Sequence, residues 1–202
     1  MDWAGVARRQ EERTAKAQGA VLRANAAYGA GLAHLMLGDR EAARAWLDRA
    51  VSAYRESWAD ARPDSWGRPI ATIKSRLLVD EPAEAEARWA LEVGAGQAET
   101  PIGRYAAALA HLVLGEDEQA RVHADAIRTA DDFPAEVGHA LAAVAATDAI
   151  AYVEALERVL ASFETRSDYL EDVPVADTVL VLRALGGARG LRAELSSPLL
   201  PG

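Results

Sequence analysis

Tyr28–Arg44 reads YGAGLAHLMLGDREAAR, and Tyr105–Arg121 reads YAAALAHLVLGEDEQAR. The two stretches align without a gap and share the first tyrosine, the His-Leu pair, the Leu-Gly pair and the final Ala-Arg. Their starts lie 77 residues apart, at positions 28 and 105, and this offset fits two units of roughly 34 to 42 residues. The match therefore predicts an internally repeated chain.

The residues around these stretches favour helix almost everywhere. Ala, Leu, Glu and Arg dominate, β-branched residues are sparse, and alternation of period two is nearly absent. Helix-breaking residues then divide the chain into about ten helices, mostly of roughly 12 to 20 residues, joined by short turns. The expected breaks are Gly19, Gly38, 63–67, 80–82, 94–101, Gly115, 131–134, Thr147, 173–174 and 186–190.

The repeat predicts a single domain, 1–202, made of four helical units and a final helix. We expect the units at about 25–60, 66–94, 101–130 and 134–163, with a capping helix at 174–186. Asp80 takes the place of the turn glycine in the second unit, and Thr147-Asp148 forms the turn of the fourth. Terminal units of such arrays are often atypical because one of their faces meets water.

The spacing of small residues, histidine and glycine resembles the tetratricopeptide repeat (TPR). Gly31 and Ala108 are small residues that let paired helices approach closely, and Gly38 and Gly115 suit the left-handed cap that ends a first helix. The tryptophan usual near the start of that helix is absent. The resemblance implies an all-α, TPR-like α-α superhelix of stacked antiparallel hairpins. It also implies that the protein binds a protein or peptide partner.

Composition limits the classes of partner and compartment. The net charge is −9 with 22 basic residues, which argues against nucleic acid because binding the phosphate backbone requires Lys and Arg. No apolar run approaches the roughly 20 residues of a membrane helix, and 1–13 has no apolar stretch of a signal peptide or anchor. The absence of cysteine excludes thiol chemistry. We expect a cytoplasmic protein that binds neither membranes nor nucleic acid.

The first helices are expected to line a concave face. Their outward positions are largely apolar, and such a face requires a cover on a soluble chain. Three covers are considered: the N-terminal helix 3–18, a second copy of the chain in a homodimer, or an amphipathic partner segment. The positions expected to face the groove are Tyr28, Leu32, Leu35, Met36, Ile70, Lys74, Leu77, Leu78, Tyr105, Leu109, Leu112 and Val113.

Aromatic and arginine side chains supply the candidate contacts at the rim of this groove. Trp58 and Trp66 flank a loop, where they either contact a ligand or pack the loop onto the core. Arg68 and Arg104 each follow a glycine near the start of a first helix; they either hold a carboxylate or phosphate together or form salt bridges. The candidate binding residues are Tyr28, Leu32, Met36, Trp58, Trp66, Arg68, Lys74, Arg104, Tyr105 and Leu109.

Histidines and carboxylates do not form a recognisable reactive site. His34 and His111 recur at one repeat position, which favours packing between helices, and His123 and His139 are expected on the surface. The acidic segment 164–177 holds Asp168, Glu171, Asp172 and Asp177. It suggests capping by Asp172 ahead of Pro174 with the other carboxylates in water, or recognition of a partner. No phosphate loop, nucleophile elbow or zinc spacing is present, so we predict no catalytic residue, metal or cofactor.

The sequence thus predicts a TPR-like protein–protein interaction or assembly module, self-association included. Two alternatives remain open. One is a small-ligand or enzymatic site on the groove rim between Trp58 and Arg104, and the other is a regulatory or immunity-type protein whose acidic charge suits a basic partner. Enzymatic activity is the less favoured of these roles.

Overall fold

The computed structural model describes all residues 1–202 and contains ten α-helices and no strand, which confirms the all-α prediction. None of the helices combines the length and the apolar character needed to cross a bilayer. The helices are α1 Trp3–Lys16, α2 Ala20–Met36, α3 Arg40–Ser57, α4 Gly67–Leu77, α5 Glu84–Glu92, α6 Pro101–Leu114, α7 Asp117–Arg128, α8 Ala135–Ala146, α9 Ala149–Thr165 and α10 Asp177–Gly187.

Four left-handed residues end the first helices of four successive helix pairs. Gly38, Asp80, Gly115 and Thr147 have φ angles of 74°, 56°, 74° and 54°. At each turn the next N–H donates to the carbonyl five residues earlier, as in Asp39 N to His34 O at 3.0 Å. This bond satisfies a carbonyl that the helix end leaves unpaired. Asp80 thus stands at the position of the turn glycine, as predicted, and Thr147 stands at the equivalent position of the predicted fourth turn.

Small residues at the helix contacts bring the paired helices close together. A Cβ atom on Gly31 would lie 2.6 Å from Leu47 Cγ, so α2 and α3 pack at a distance that only glycine allows. Ala108, the equivalent residue of α6, is fully buried. The role expected for both residues is confirmed.

Helices adjacent in sequence pack against one another from α1 to α9. The first helices of successive pairs also touch, since α6 contacts both α4 and α8, and they form one layer on the inner side. A single cluster of 52 buried residues runs from Val6 to Leu200, so one continuous core joins all the helices.

The C-terminal part of the chain covers this inner layer. Helix α10 packs on α4, α8 and α9, and the turn Leu170–Asp172 packs on α2. Gln10 of α1 donates a 2.7 Å hydrogen bond to the carbonyl of Glu171, and Arg13 pairs with the Glu171 carboxylate at 2.6 Å. The cover of the inner layer is therefore part of the same chain, and it consists of α10 and the segment before it. Helix α1, which was one of the expected covers, packs beside α2 instead.

The turn geometry makes opposite predictions for two substitutions. Gly38→Ala should lower the free energy of unfolding by about 1 kcal/mol, because a Cβ atom strains the left-handed backbone although nothing lies within 4 Å of it. Thr147→Gly should raise it by up to about 1 kcal/mol, because it relieves the same strain at a β-branched residue. Urea denaturation measures both. Equal effects of the two changes would contradict the assignment of equivalent turns.

Candidate functional site

A buried polar cluster joins the inner helices to α10. Lys74 Nζ of α4 lies 2.6 Å from Asp177 Oδ2, and the two side chains are only 10% and 15% exposed. The hydroxyl of Tyr28, from α2, donates to the same carboxylate oxygen at 2.7 Å, and Lys74 donates to Thr178 Oγ1 at 3.1 Å. Asp177 is thus bonded by two helices at once, and this geometry fixes the start of α10 against the inner layer.

The cluster holds Lys74 as a cation. Burial is the largest single effect and lowers the pKa of Lys74, but the Asp177 carboxylate and Tyr105 together outweigh it and leave the pKa above its ordinary value. Burial, reinforced by Asp177, raises the pKa of Tyr28 well above 10.0, and burial also raises the pKa of Tyr54. The pKa of Tyr105 is raised by burial too. The cluster therefore contains an ammonium, a carboxylate and neutral phenols, with no free base or nucleophile among the lysine and tyrosines.

A cavity of about 400 Å³ lies next to this cluster. Part of its lining is polar: Tyr54 donates to Asn25 Oδ1 at 2.8 Å, Arg68 donates to the carbonyl of Ser57, and Lys74 pairs with Asp177. Hydrophobic side chains form about half of the lining. The lining residues are Val21, Asn25, Tyr28, Tyr54, Ser65, Gly67, Arg68, Ile70, Ala71, Lys74, Leu170 and Asp177, and we call this space the α2–α4 pocket.

Several predicted residues meet here, and others do not. Tyr28, Lys74 and Arg68 line the α2–α4 pocket. Tyr105 is buried beside the cluster, and its hydroxyl has no hydrogen-bond partner. Leu32 and Leu109 are only 2% and 0% exposed and belong to the core, so neither offers a surface to a ligand.

The remaining groove-facing positions are also largely enclosed. Met36, Leu77 and Val113 are partly buried and pack on the core. The other apolar positions expected to face the groove are buried, among them Ile70 and Leu78. Leu35 and Leu112 are 5% and 1% exposed. No open apolar groove is left along the first helices.

Tryptophans pack the loop between α3 and α4 onto the core. The rings of Trp58 and Trp66 lie 6.0 Å apart, and Trp58 meets Trp89 edge-on at 5.7 Å. Trp66 is 9% exposed and donates to Asp64 at 2.9 Å. Of the two interpretations of Trp58 and Trp66, the geometry favours packing, and neither residue lines the α2–α4 pocket.

Arg68 and Arg104 do not act as a pair. Arg68 donates to the carbonyl of Ser57, the last residue of α3, and Arg104 donates to the carbonyl of Glu99, just before α6. Only Arg68 lines the α2–α4 pocket. Neither forms a salt bridge, so the expected alternative of surface ion pairs does not apply to them.

The recurring histidines, His34 and His111, lie in the last turns of α2 and α6, and each has a glutamate partner. His34 Nε2 lies 2.8 Å from Glu11 Oε1, and His111 Nδ1 lies 2.6 Å from Glu116 Oε2. The expectation that His123 lies on the surface is wrong: it is 9% exposed, and its ring stacks on that of His111 at 5.5 Å. Burial and the neighbouring His111 lower the pKa of His123, which favours the neutral ring.

The acidic segment differs from its expected role. Asp172 does not cap a helix, because α10 begins only at Asp177 and Asp172 itself is left-handed at φ 58°. Asp177 was expected to be solvated or to bind a partner, yet it is the buried anion of the cluster. Asn25 and Tyr54 were not among the candidates, because no local sequence pattern distinguishes them. The same is true of the polar cluster as a whole, since its members Tyr28 and Asp177 are 149 positions apart.

One other cavity also has a largely buried charged group. It measures about 440 Å³ and is lined by Arg189, whose side chain is 14% exposed and already donates to Asp117 and to the carbonyl of Leu112. Another cavity, of about 360 Å³ near the helix turns, is lined by Arg40 and Asp80, whose side chains are 60% and 75% exposed. The α2–α4 pocket is the stronger candidate because it combines the buried Lys74–Asp177 pair with an arginine, Arg68, that has no carboxylate partner.

Comparison with known proteins gives no relative. No protein-family model, no curated protein and no solved structure matches the chain. The function must therefore be argued from the geometry of the α2–α4 pocket.

Proposed function

We propose that the chain is a TPR-like helical-repeat module that binds a small ligand in the α2–α4 pocket. The observation that carries the proposal is the pocket itself: a cavity of about 400 Å³ lined by both apolar side chains and hydrogen-bonded polar groups. Small-molecule sites are typically of this size and combine apolar walls with a few placed polar groups. Repeated left-handed turns at 38, 80, 115 and 147, thus 42, 35 and 32 residues apart, support the TPR-like assignment.

Peptide binding along the concave face is less well supported, because α10 already occupies it. Val179, Val181, Leu182 and Leu185 of α10 are 0 to 3% exposed. Burying four such side chains contributes on the order of 6–12 kcal/mol, comparable with the whole stability of a domain. A peptide that displaced α10 would therefore unfold the protein. A protein partner, including a second copy, would need to use the outer surface.

The protonation states favour binding over catalysis. A lysine nucleophile requires a lowered pKa, whereas the pKa of Lys74 is raised. The raised pKa values of Tyr28 and Tyr54 equally disfavour a tyrosinate base. The same groups are well suited to hold a fixed pattern of hydrogen bonds for a ligand.

A fragment screen tests the proposal. Small organic molecules added to the ¹⁵N-labelled chain should shift the amide resonances of Asn25, Tyr54 and Arg68. Ala71→Leu should weaken these fragments at least about tenfold, because Ala71 is a pocket residue only 7% exposed and leucine fills the space. Thermal melts establish that the variant folds.

Ala161→Leu is the matched control, since this alanine is an exposed residue of α9 outside the pocket. It should leave fragment affinity unchanged. Shifts that appear only elsewhere, or that persist at full strength in Ala71→Leu, would refute ligand binding in the α2–α4 pocket.

A further inference from the structure

The α2–α4 pocket has more free hydrogen-bond donors than acceptors. Asn25 uses its oxygen to accept from Tyr54, which leaves both N–H groups of its amide without a protein partner. Arg68 uses one Nη1 N–H for the carbonyl of Ser57, and its other N–H groups have no protein acceptor. The hydroxyl of Ser65 has no hydrogen-bond partner in the protein either. A ligand that satisfies these groups must present acceptor oxygens.

The charges of the pocket side chains also favour a ligand with acceptor oxygens. Three charged side chains line it, and Lys74 and Asp177 neutralise each other across 2.6 Å. Arg68 has no carboxylate within 4.0 Å, although the chain as a whole carries a net charge of −9. One positive charge is thus left without an acid in a chain rich in acids. A monoanion balances it, whereas a dianion would leave one negative charge unbalanced in the pocket.

The apolar side chains of the lining come from three elements. Val21 and Ile70 contribute from α2 and α4, and Leu170 contributes from the turn Leu170–Asp172. Leu170 is 49% exposed, so about half of its surface is in contact with water. An apolar body in the pocket would cover part of this side chain and gain roughly 25 cal/mol for each Å² buried.

We infer that the α2–α4 pocket binds a small monocarboxylate with an aliphatic body. The carboxylate accepts from Arg68 and Asn25, since a guanidinium fork matches the two oxygens of a planar carboxylate. The aliphatic body lies against Val21, Ile70 and Leu170. This inference rests on the proposed ligand-binding function and specifies its ligand class.

Calorimetric titration of the full chain with four six-carbon probes tests the class. Hexanoate should bind at least about tenfold more tightly than hexan-1-ol, hexylamine or hexyl phosphate at the same salt concentration. Arg68→Leu should weaken hexanoate about 10- to 100-fold, because it removes the charged donor from the carboxylate. Arg68→Gln removes the charge but can keep the bond to Ser57, so it should show a similar loss without the risk of unfolding.

Arg104→Leu is the matched control. It removes a guanidinium that also donates to a main-chain carbonyl but lies outside the pocket, and it should leave hexanoate affinity unchanged. If hexanoate and hexan-1-ol bound equally tightly to the wild type and to Arg68→Gln, the carboxylate inference would be overturned. The proposal that the pocket binds a small ligand would then still stand. Preference for hexyl phosphate would overturn it in favour of a dianion. Failure of all four probes, together with an empty fragment screen, would overturn both proposals.

Discussion

Lys74→Met is expected to lower the free energy of unfolding by about 3–5 kcal/mol. The substitution leaves the Asp177 carboxylate, which is 15% exposed, with the Tyr28 hydroxyl as its remaining strong partner. A buried charge that loses its counter-ion costs this much because the protein interior cannot replace the lost solvation. Urea denaturation followed by circular dichroism measures the change.

Two further variants isolate the buried pair. Arg44→Met breaks a salt bridge with Glu81 whose side chains are 56% and 27% exposed, and should cost only about 0–1 kcal/mol. The double variant Lys74→Met, Asp177→Leu removes both charges and should be less destabilised than the sum of the single variants. A loss for Lys74→Met no larger than that for Arg44→Met would show that water solvates the pair and that it does not anchor α10.

Gly138→Ala is expected to lower the free energy of unfolding by about 1–3 kcal/mol. A Cβ atom at Gly138 would lie 2.9 Å from the carbonyl oxygen of Ala124 and 2.9 Å from the backbone nitrogen of Arg128. Backbone atoms cannot rotate away as a side chain can, so α7 and α8 must separate and their shared core loosens. This strain outweighs the higher helix propensity of alanine, which by itself would favour the variant.

Gly67→Ala provides the comparison, since Gly67 opens α4 and a Cβ atom there would meet nothing within 4 Å. Alanine at this position should raise stability by up to about 1 kcal/mol because it restricts the unfolded chain. Urea denaturation measures both variants. Their midpoints are compared on condition that the slope of the free energy of unfolding against urea concentration is unchanged. A Gly138→Ala protein as stable as the wild type would contradict the close approach of α7 and α8.

Local chemistry explains why the helices and their ends were predictable. Breaks expected at Gly38, Asp80, Gly115 and Thr147 coincide with left-handed residues, because each turn is stabilised by bonds within a few residues. The recurrence of Gly31 and Ala108 also indicated where helices approach. These features depend on neighbours in the chain, and a sequence pattern records them directly.

The site was only partly predictable. Tyr28 and Lys74 were candidates because their repeat positions place them on the inner side of the first helices, and Arg68 was one because it follows a glycine near the start of a first helix. Asp177 was read as part of a solvated acidic segment, since a carboxylate among carboxylates normally remains in water. Its burial depends on Lys74, a partner 103 positions earlier that no local pattern connects with it.

By itself, the sequence determined the helical character, the turn positions and the close helix contacts, because propensity, left-handed caps and small side chains act over a few residues. Only the tertiary structure decided that α10 covers the inner layer, that Asp177 is buried against Lys74, and that a pocket remains beside them. Those outcomes depend on which distant surfaces meet, and burial reverses the behaviour of a charged group that would otherwise stay in water.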